Sequence, residues 1–231
     1  MKPLTKFNRN YVVSTKYKLL LAILFLGFIM GAWLFWLDRP YTLNLNFRSD
    51  SSTPSIKQIQ VNGHTGMRAT VTGRSETGAA GYAHRFTDRM DFSVLWYDLI
   101  EERAWQADFS VYGRELSTYG NKRDHARLRI VVGPGADVTV ATSNREALRL
   151  AGIGRGDDLL GPDQRVLPQY RDPVILRELC ATPFPVDDEE IQFMIHRATT
   201  EQSNHIRRAF EAVERTFGDQ DVPTPRCNAE I

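Results

Sequence analysis

Leu19 to Leu37, LLLAILFLGFIMGAWLFWL, constrains this chain more than any other stretch: nineteen consecutive residues without a charge. At 1.5 Å of rise per residue, about 20 apolar residues span the roughly 30 Å hydrocarbon core of a bilayer. Inside that core the backbone must satisfy its own hydrogen bonds, so the stretch is expected to be a membrane helix over residues 19–37. A cleaved signal peptide is the competitor. Its apolar core is shorter, about 7 to 15 residues, and ends on small residues. Here bulky Trp33 to Trp36 follow the small pair Gly31-Ala32, which favours an uncleaved anchor. No cysteine follows the run until Cys180, so a lipid-modified N-terminus is not expected.

Residues 1–18 form a basic tail with Lys2, Lys6, Arg9, Lys16 and Lys18 and no acidic residue. Cations close to a span favour the cytoplasmic side, which puts the tail inside and the rest outside. In a bacterial cell the tail is then cytoplasmic, the anchor sits in the inner membrane, and the C-terminal domain is periplasmic. Tyr17 at one end, and Trp33, Trp36 and Tyr41 at the other, suit the two interfacial belts. Gly27 and Gly31 have the G-x-x-x-G spacing that lets two helices approach closely, which would permit a homodimer; chance is the alternative, since glycine is common in membrane helices.

About 190 residues remain, enough for one domain or a domain with a helical appendage. Formal net charge is +1, and no basic stripe with interleaved aromatics stands out, so nucleic acid is not an expected partner. Cys180 and Cys227 both fall on the outer side, where an oxidising compartment permits a disulfide; two buried free thiols are the alternative.

Pro40 ends the anchor, and Thr42 to Phe47 alternates polar and apolar as a strand does. Ile56 to Val61 and Met67 to Val71 are two more strands, with Asn62-Gly63 and His64-Thr65-Gly66 between them as a hairpin turn. Gly73 to Gly81, GRSETGAAG, is expected to be a glycine-rich loop without the order of a phosphate-binding loop. Asp91 to Tyr97 and Ala104 to Tyr112 are the strongest strands, joined by an acidic turn at Asp98 to Arg103. Ala126 to Val132 and Asp137 to Thr142 make a further hairpin. Seven short strands in about 100 residues predict an α+β chain: an antiparallel β-sandwich or half-barrel over 42–142, followed by a helical region over 143–231 packed on the sheet. In that region Ser143 or Asn144 caps a short helix through Leu150, and Gly154 to Tyr170 is a connector. Pro173 to Cys180 is a short helix, and one long helix runs from Asp187 to about Phe217 with capping-box spacing at Asp187 and Glu190. Its stripe from Ile191 through Met194, Ala198 and Ala209 to Phe217 packs on the sheet or offers a partner groove.

Chemistry-bearing patterns are sparse. None of the five histidines (His64, His84, His125, His196, His205) belongs to an H-E-x-x-H pattern or lies at zinc-ligand spacing from a cysteine. There is no G-x-S-x-G nucleophile elbow. The carboxylates at Glu101-Glu102 fit a hairpin turn, and those at Asp187 to Glu190 fit a helix start. The chain is therefore expected to be no enzyme, with no metal and no cofactor. Its expected partners are the membrane and another protein. Candidate partner-binding residues sit on the loops: His64, Thr65, Arg74, Glu76, Glu101, Glu102 and Arg103.

Ile59-Gln60-Val61-Asn62-Gly63, the glycine-rich Gly73 to Gly81, and Phe92-Ser93-Val94-Leu95-Trp96 followed by Trp105 resemble an uncharacterised β-rich bacterial envelope domain. That domain is often encoded beside type VI secretion phospholipase effectors. The resemblance covers about residues 55–142 and implies a periplasmic immunity protein that occludes such an effector. The family's paired cysteines after the glycine-rich segment are missing, with Ala83, His84 and Arg85 standing there. The alternative is a structural subunit of an envelope or secretion assembly.

Overall fold

The computed structural model describes residues 15–37, 40–71, 76–119, 125–152, 160, 173–218 and 224–227. It divides into two compact units, Met1–Arg39 and Pro40–Ile231. The first contains helix α1 (Thr15–Leu37), whose Tyr17–Phe35 segment has a mean hydropathy of 2.2 and exposed side chains. By length and composition this helix can cross a membrane. A Cβ added at Gly27 or Gly31 would meet nothing within 4 Å, so both positions face open space. Of the basic tail, residues 1–14 lie outside the described residues.

The second unit is built of two sheets that share one core. The first sheet takes β1 (Tyr41–Ser49), β4 (Glu76–His84), β8 (His125–Val132), β9 (Asp137–Thr142) and β10 (Val174–Cys180) in the order β10-β9-β8-β1-β4, with the two-residue β7 (Thr118–Tyr119) beside the start of β8. The second takes β2 (Ser55–Val61), β3 (His64–Val71), β5 (Arg89–Asp98), β6 (Arg103–Tyr112) and β11 (Thr182–Phe184) in the order β11-β6-β5-β2-β3. Alternation decides which side chains turn inward. Leu43, Leu45 and Phe47 of β1 meet Leu128 and Ile130 of β8 from within their sheet, and Phe92, Val94 and Trp96 of β5 from the other. Full burial of side chains this size stabilises by roughly 1.5–3 kcal/mol each.

The other face of the second sheet carries a smaller core. Ile56, Leu95 and Ala104 are covered by α3 (Glu189–Glu201) and α4 (Ser203–Phe217) through Ile191, Met194, Ala198 and Ala209. A short helix α2 (Arg145–Gly152) starts at Asn144, whose Oδ1 accepts the amides of Glu146 and Ala147.

Several expectations are corrected here. The first sheet is mixed rather than antiparallel, because β1 runs parallel to β8 along its whole length. Most of the expected glycine-rich loop is strand β4, which pairs with β1 from Phe47 to Tyr41; Thr72 to Ser75 lie outside the described residues. The turn after β2 is only Asn62-Gly63, with φ of 50° and 76°, so His64 and Thr65 already belong to β3. Pro173 to Cys180 is no helix: Val174–Cys180 is β10, an edge strand on β9. The long helix is broken at Gln202, whose φ of −131° is not helical, and its N-cap is Asp188, which accepts the Glu190 amide at 2.9 Å. Residues 143–231 thus add a strand to each sheet as well as helices, and the division at 142 is not a structural boundary. The connector from Gly154 to Tyr170, apart from Leu160, lies outside the described residues.

Cys180 and Cys227 form a disulfide with Cα atoms 5.5 Å apart. It ties the end of a strand, rather than of a helix, to the chain's tail. The Asp137 carboxylate holds the same tail by accepting the amides of Arg226 and Cys227 at 2.8 and 2.7 Å. A disulfide of this kind suits an oxidising compartment.

Candidate functional site

The sequence-derived candidates do not converge. His64 and Thr65 follow the β2–β3 turn and are exposed. Glu101, Glu102 and Arg103 are exposed at the β5–β6 turn. The β2–β5 register runs from Val61 opposite Phe92 to Ser55 opposite Asp98. Six residues separate those pairs, so the two turns lie at opposite ends of the second sheet, roughly 20 Å apart. Glu76 opens β4 in the other sheet, opposite Phe47. Arg74 lies outside the described residues. Among the described residues, His64 and Thr65 share no surface with Glu101, Glu102 and Arg103.

A shallow pocket opens on the outer face of the second sheet, where Gln58, Gln60, Ser93, Gln106 and Glu190 meet Leu95 and Phe184. Its volume is about 30 Å³, far below the roughly 300 Å³ at which small-molecule pockets begin. Gln58 and Gln60 both donate to the Glu190 carboxylate, at 2.6 and 3.5 Å. The Glu190 carboxylate is thus met from within the domain, and a pocket this small does not suit a drug-sized ligand.

A nucleophile-type side chain meets a base-type one at one end of the inner core. Lys57 Nζ donates to Ser49 Oγ at 3.2 Å, and Ser49 Oγ shares a 2.5 Å hydrogen bond with Ser55 Oγ. A serine beside a lysine in a dry setting is one of the arrangements that can activate a hydroxyl. Lys57 is fully buried, under the Phe47 ring, and Ser49 is 4% exposed. A substrate has no path to either group, and the cluster closes the end of the sandwich.

The outer face of the first sheet carries what the sequence reading missed. Because β1 and β8 are parallel and in register, Asn44 lies beside Arg127 and Asn46 beside Arg129, with Arg48 one step further along β1. Three guanidinium groups therefore share one face. Burial, then Arg48, then Arg127 push the Arg129 pKa below its ordinary value. Arg127 lies over the Tyr119 ring at 5.7 Å; that ring also contacts His125 at 5.6 Å, and its hydroxyl accepts the Asn44 amide. The only local signal was the Arg127-Leu128-Arg129 alternation. Arg48 is some 80 residues away, and only the parallel pairing joins it to them. Among the described residues no group of three or more His, Cys, Asp or Glu could hold a metal ion.

No family model matches the chain. No curated protein matches it either. Among solved structures, the 5-hydroxyisourate hydrolase of Klebsiella pneumoniae is similar over 45% of this chain and 99% of its own, at 15% identity and a TM-score of 0.22. The expectation of a non-enzyme no longer stands beside a match that is a hydrolase. A match at this TM-score gives the chain no activity and no fold either.

Proposed function

We propose that the chain is a single-pass inner-membrane protein that holds a protein-binding domain in the periplasm, in its sharpest form an immunity protein that occludes a type VI secretion effector. The supporting observation is the order of parts: an apolar helix of membrane-spanning length, then three residues on, a two-sheet domain closed by a disulfide. An anchor confines a binding domain to one compartment, where effective concentration lets moderate affinity suffice. The basic tail on one side of the helix and the disulfide on the other agree on orientation.

The test is capture of the tagged full-length protein's partner from mildly solubilised membranes, followed by adding the protein back to that partner. One soluble envelope-degrading enzyme, inhibited on re-addition, is the expected result. A fixed set of membrane proteins, lost in a Gly27→Ile/Gly31→Ile variant, would overturn the immunity form and favour an assembly subunit. An alkaline phosphatase fused after Ile231 that stays inactive in cells would place the domain in the cytoplasm and sink the whole reading.

A further inference from the structure

Six arginines elsewhere among the described residues of the domain are matched to carboxylates, among them Arg89 with Asp91, Arg149 with Glu146 and Arg177 with Glu115. The arginines on the outer face of the first sheet are not. Among the described residues no carboxylate lies within ion-pair distance of Arg48, Arg127 or Arg129, and Nε of Arg48 is buried without a hydrogen-bond partner. Like charges held together and partly removed from water cost free energy, and no carboxylate among the described residues offsets it. The Tyr119 ring under Arg127 restricts where that guanidinium can go, so the cations are presented rather than free to spread.

The rest of this face narrows the ligand. Asn46, Arg129, Ala141 and Ile175 form one cross-strand row over β1, β8, β9 and β10. Ile175 is 55% exposed and stands two strand spacings, roughly 10 Å, from Arg129. A phosphate polymer or a headgroup layer would match the arginines and leave Ile175 against polar groups. A protein segment with carboxylates beside an apolar side chain matches both. The planar fork of each guanidinium also suits a carboxylate in two-pronged fashion.

We infer that the face formed by Arg48, Arg127 and Arg129, with Ile175 at its margin, docks an acidic segment of a protein partner. Carboxylates of the segment take the guanidinium groups, and an apolar residue covers Ile175. This deepens the reading of the chain as a protein-binding domain and rests on it, moving the contact from the loops to a sheet face.

The test uses full-length protein in detergent micelles and a fluorescein-labelled octapeptide of alternating glutamate and leucine, followed by anisotropy. Saturable binding is expected, weakened at least about tenfold in Arg48→Gln/Arg127→Gln, severalfold in Ile175→Ser, and not at all in Arg208→Gln on α4, which alters charge equally per site. Arg127→Lys keeps the charge and loses the fork; an intermediate loss supports the inference if the double variant does not fold. No binding by the wild type, or equal binding by the double variant, overturns it. So does binding to phosphatidylglycerol nanodiscs that the peptide fails to displace, which would assign the cations to lipid. If the peptide fails while the captured partner is still inhibited, only this face is lost and the binding-domain reading stands.

Discussion

Gln58 and Glu190 join the second sheet to the C-terminal helices: Gln58 Nε2 donates to Glu190 Oε1 at 2.6 Å, across 132 residues of sequence. Glu190 sits in the first turn of α3, where its charge also complements the positive end of the helix dipole. Hydrogen bonds to a charged group contribute about 1.5–3 kcal/mol, and Gln58 is buried. Glu190→Ala should therefore lower the unfolding free energy of the full-length protein by about 1–3 kcal/mol in urea titration, and Glu190→Gln by less. No change in either variant would mean that α3 is held by its apolar face alone.

That apolar face makes a second prediction. Met194 is fully buried against the sheet, whereas its neighbour Phe193 is 59% exposed. Met194→Ala is expected to cost about 2–5 kcal/mol, and Phe193→Ser to stay within about 0.5 kcal/mol. Similar losses at both positions would contradict the docking of α3 seen here.

The disulfide closes 47 residues of chain onto β10. Constraining a loop of this length removes unfolded-state entropy worth about 2–4 kcal/mol, so Cys180→Ser/Cys227→Ser should lose about that much. The Asp137 carboxylate grips the same tail through two amides, and Asp137→Ala in the double-serine background should cost more than in the wild type. Equal costs in the two backgrounds would show that carboxylate and disulfide act independently.

Strands with strong alternation were legible without a structure. Phe92, Val94 and Trp96 face inward as their period demands, and Asp98 to Arg103 is the turn expected. What failed was set by distant partners. β4 is glycine- and alanine-rich with no β-branched run, and it is a strand because β1 pairs with it. β10 lies at an edge with a register shift between Ile175 and Arg177, which erases the alternation that would have marked it. The apolar stripe of α3 and α4 continues through Gln202, so periodicity could not show the break there. The arginine face depends on β1 lying parallel to β8, and no local pattern encodes such a pairing. Loops commonly bind partners, but this sheet places the β2–β3 and β5–β6 turns at opposite ends.

Asp98 makes the stability of this fold depend on pH. Its side chain is buried at the end of β5, opposite Ser55, and Oδ1 accepts the amides of Ile100 and Glu101 at 2.8 and 3.1 Å. Those bonds favour the charged form, but burial outweighs them and pushes the carboxyl above its ordinary value of 3.8. A carboxyl whose folded pKa exceeds its unfolded one holds its proton more tightly in the folded state. Its contribution is therefore most favourable below the unfolded value and declines as pH rises through the folded one. The same carboxylate raises the pKa of Glu101 at the turn, after the larger effect of burial, so the two contributions share a sign. Asp98→Asn keeps an acceptor for both amides and removes the charge. The variant should melt higher than wild type at about pH 7, with the gain shrinking toward about pH 3, where the wild-type carboxyl is protonated. Melting curves of the two proteins across that range decide it. A variant less stable at neutral pH, or a gain independent of pH, would show that the amide bonds and not burial govern Asp98.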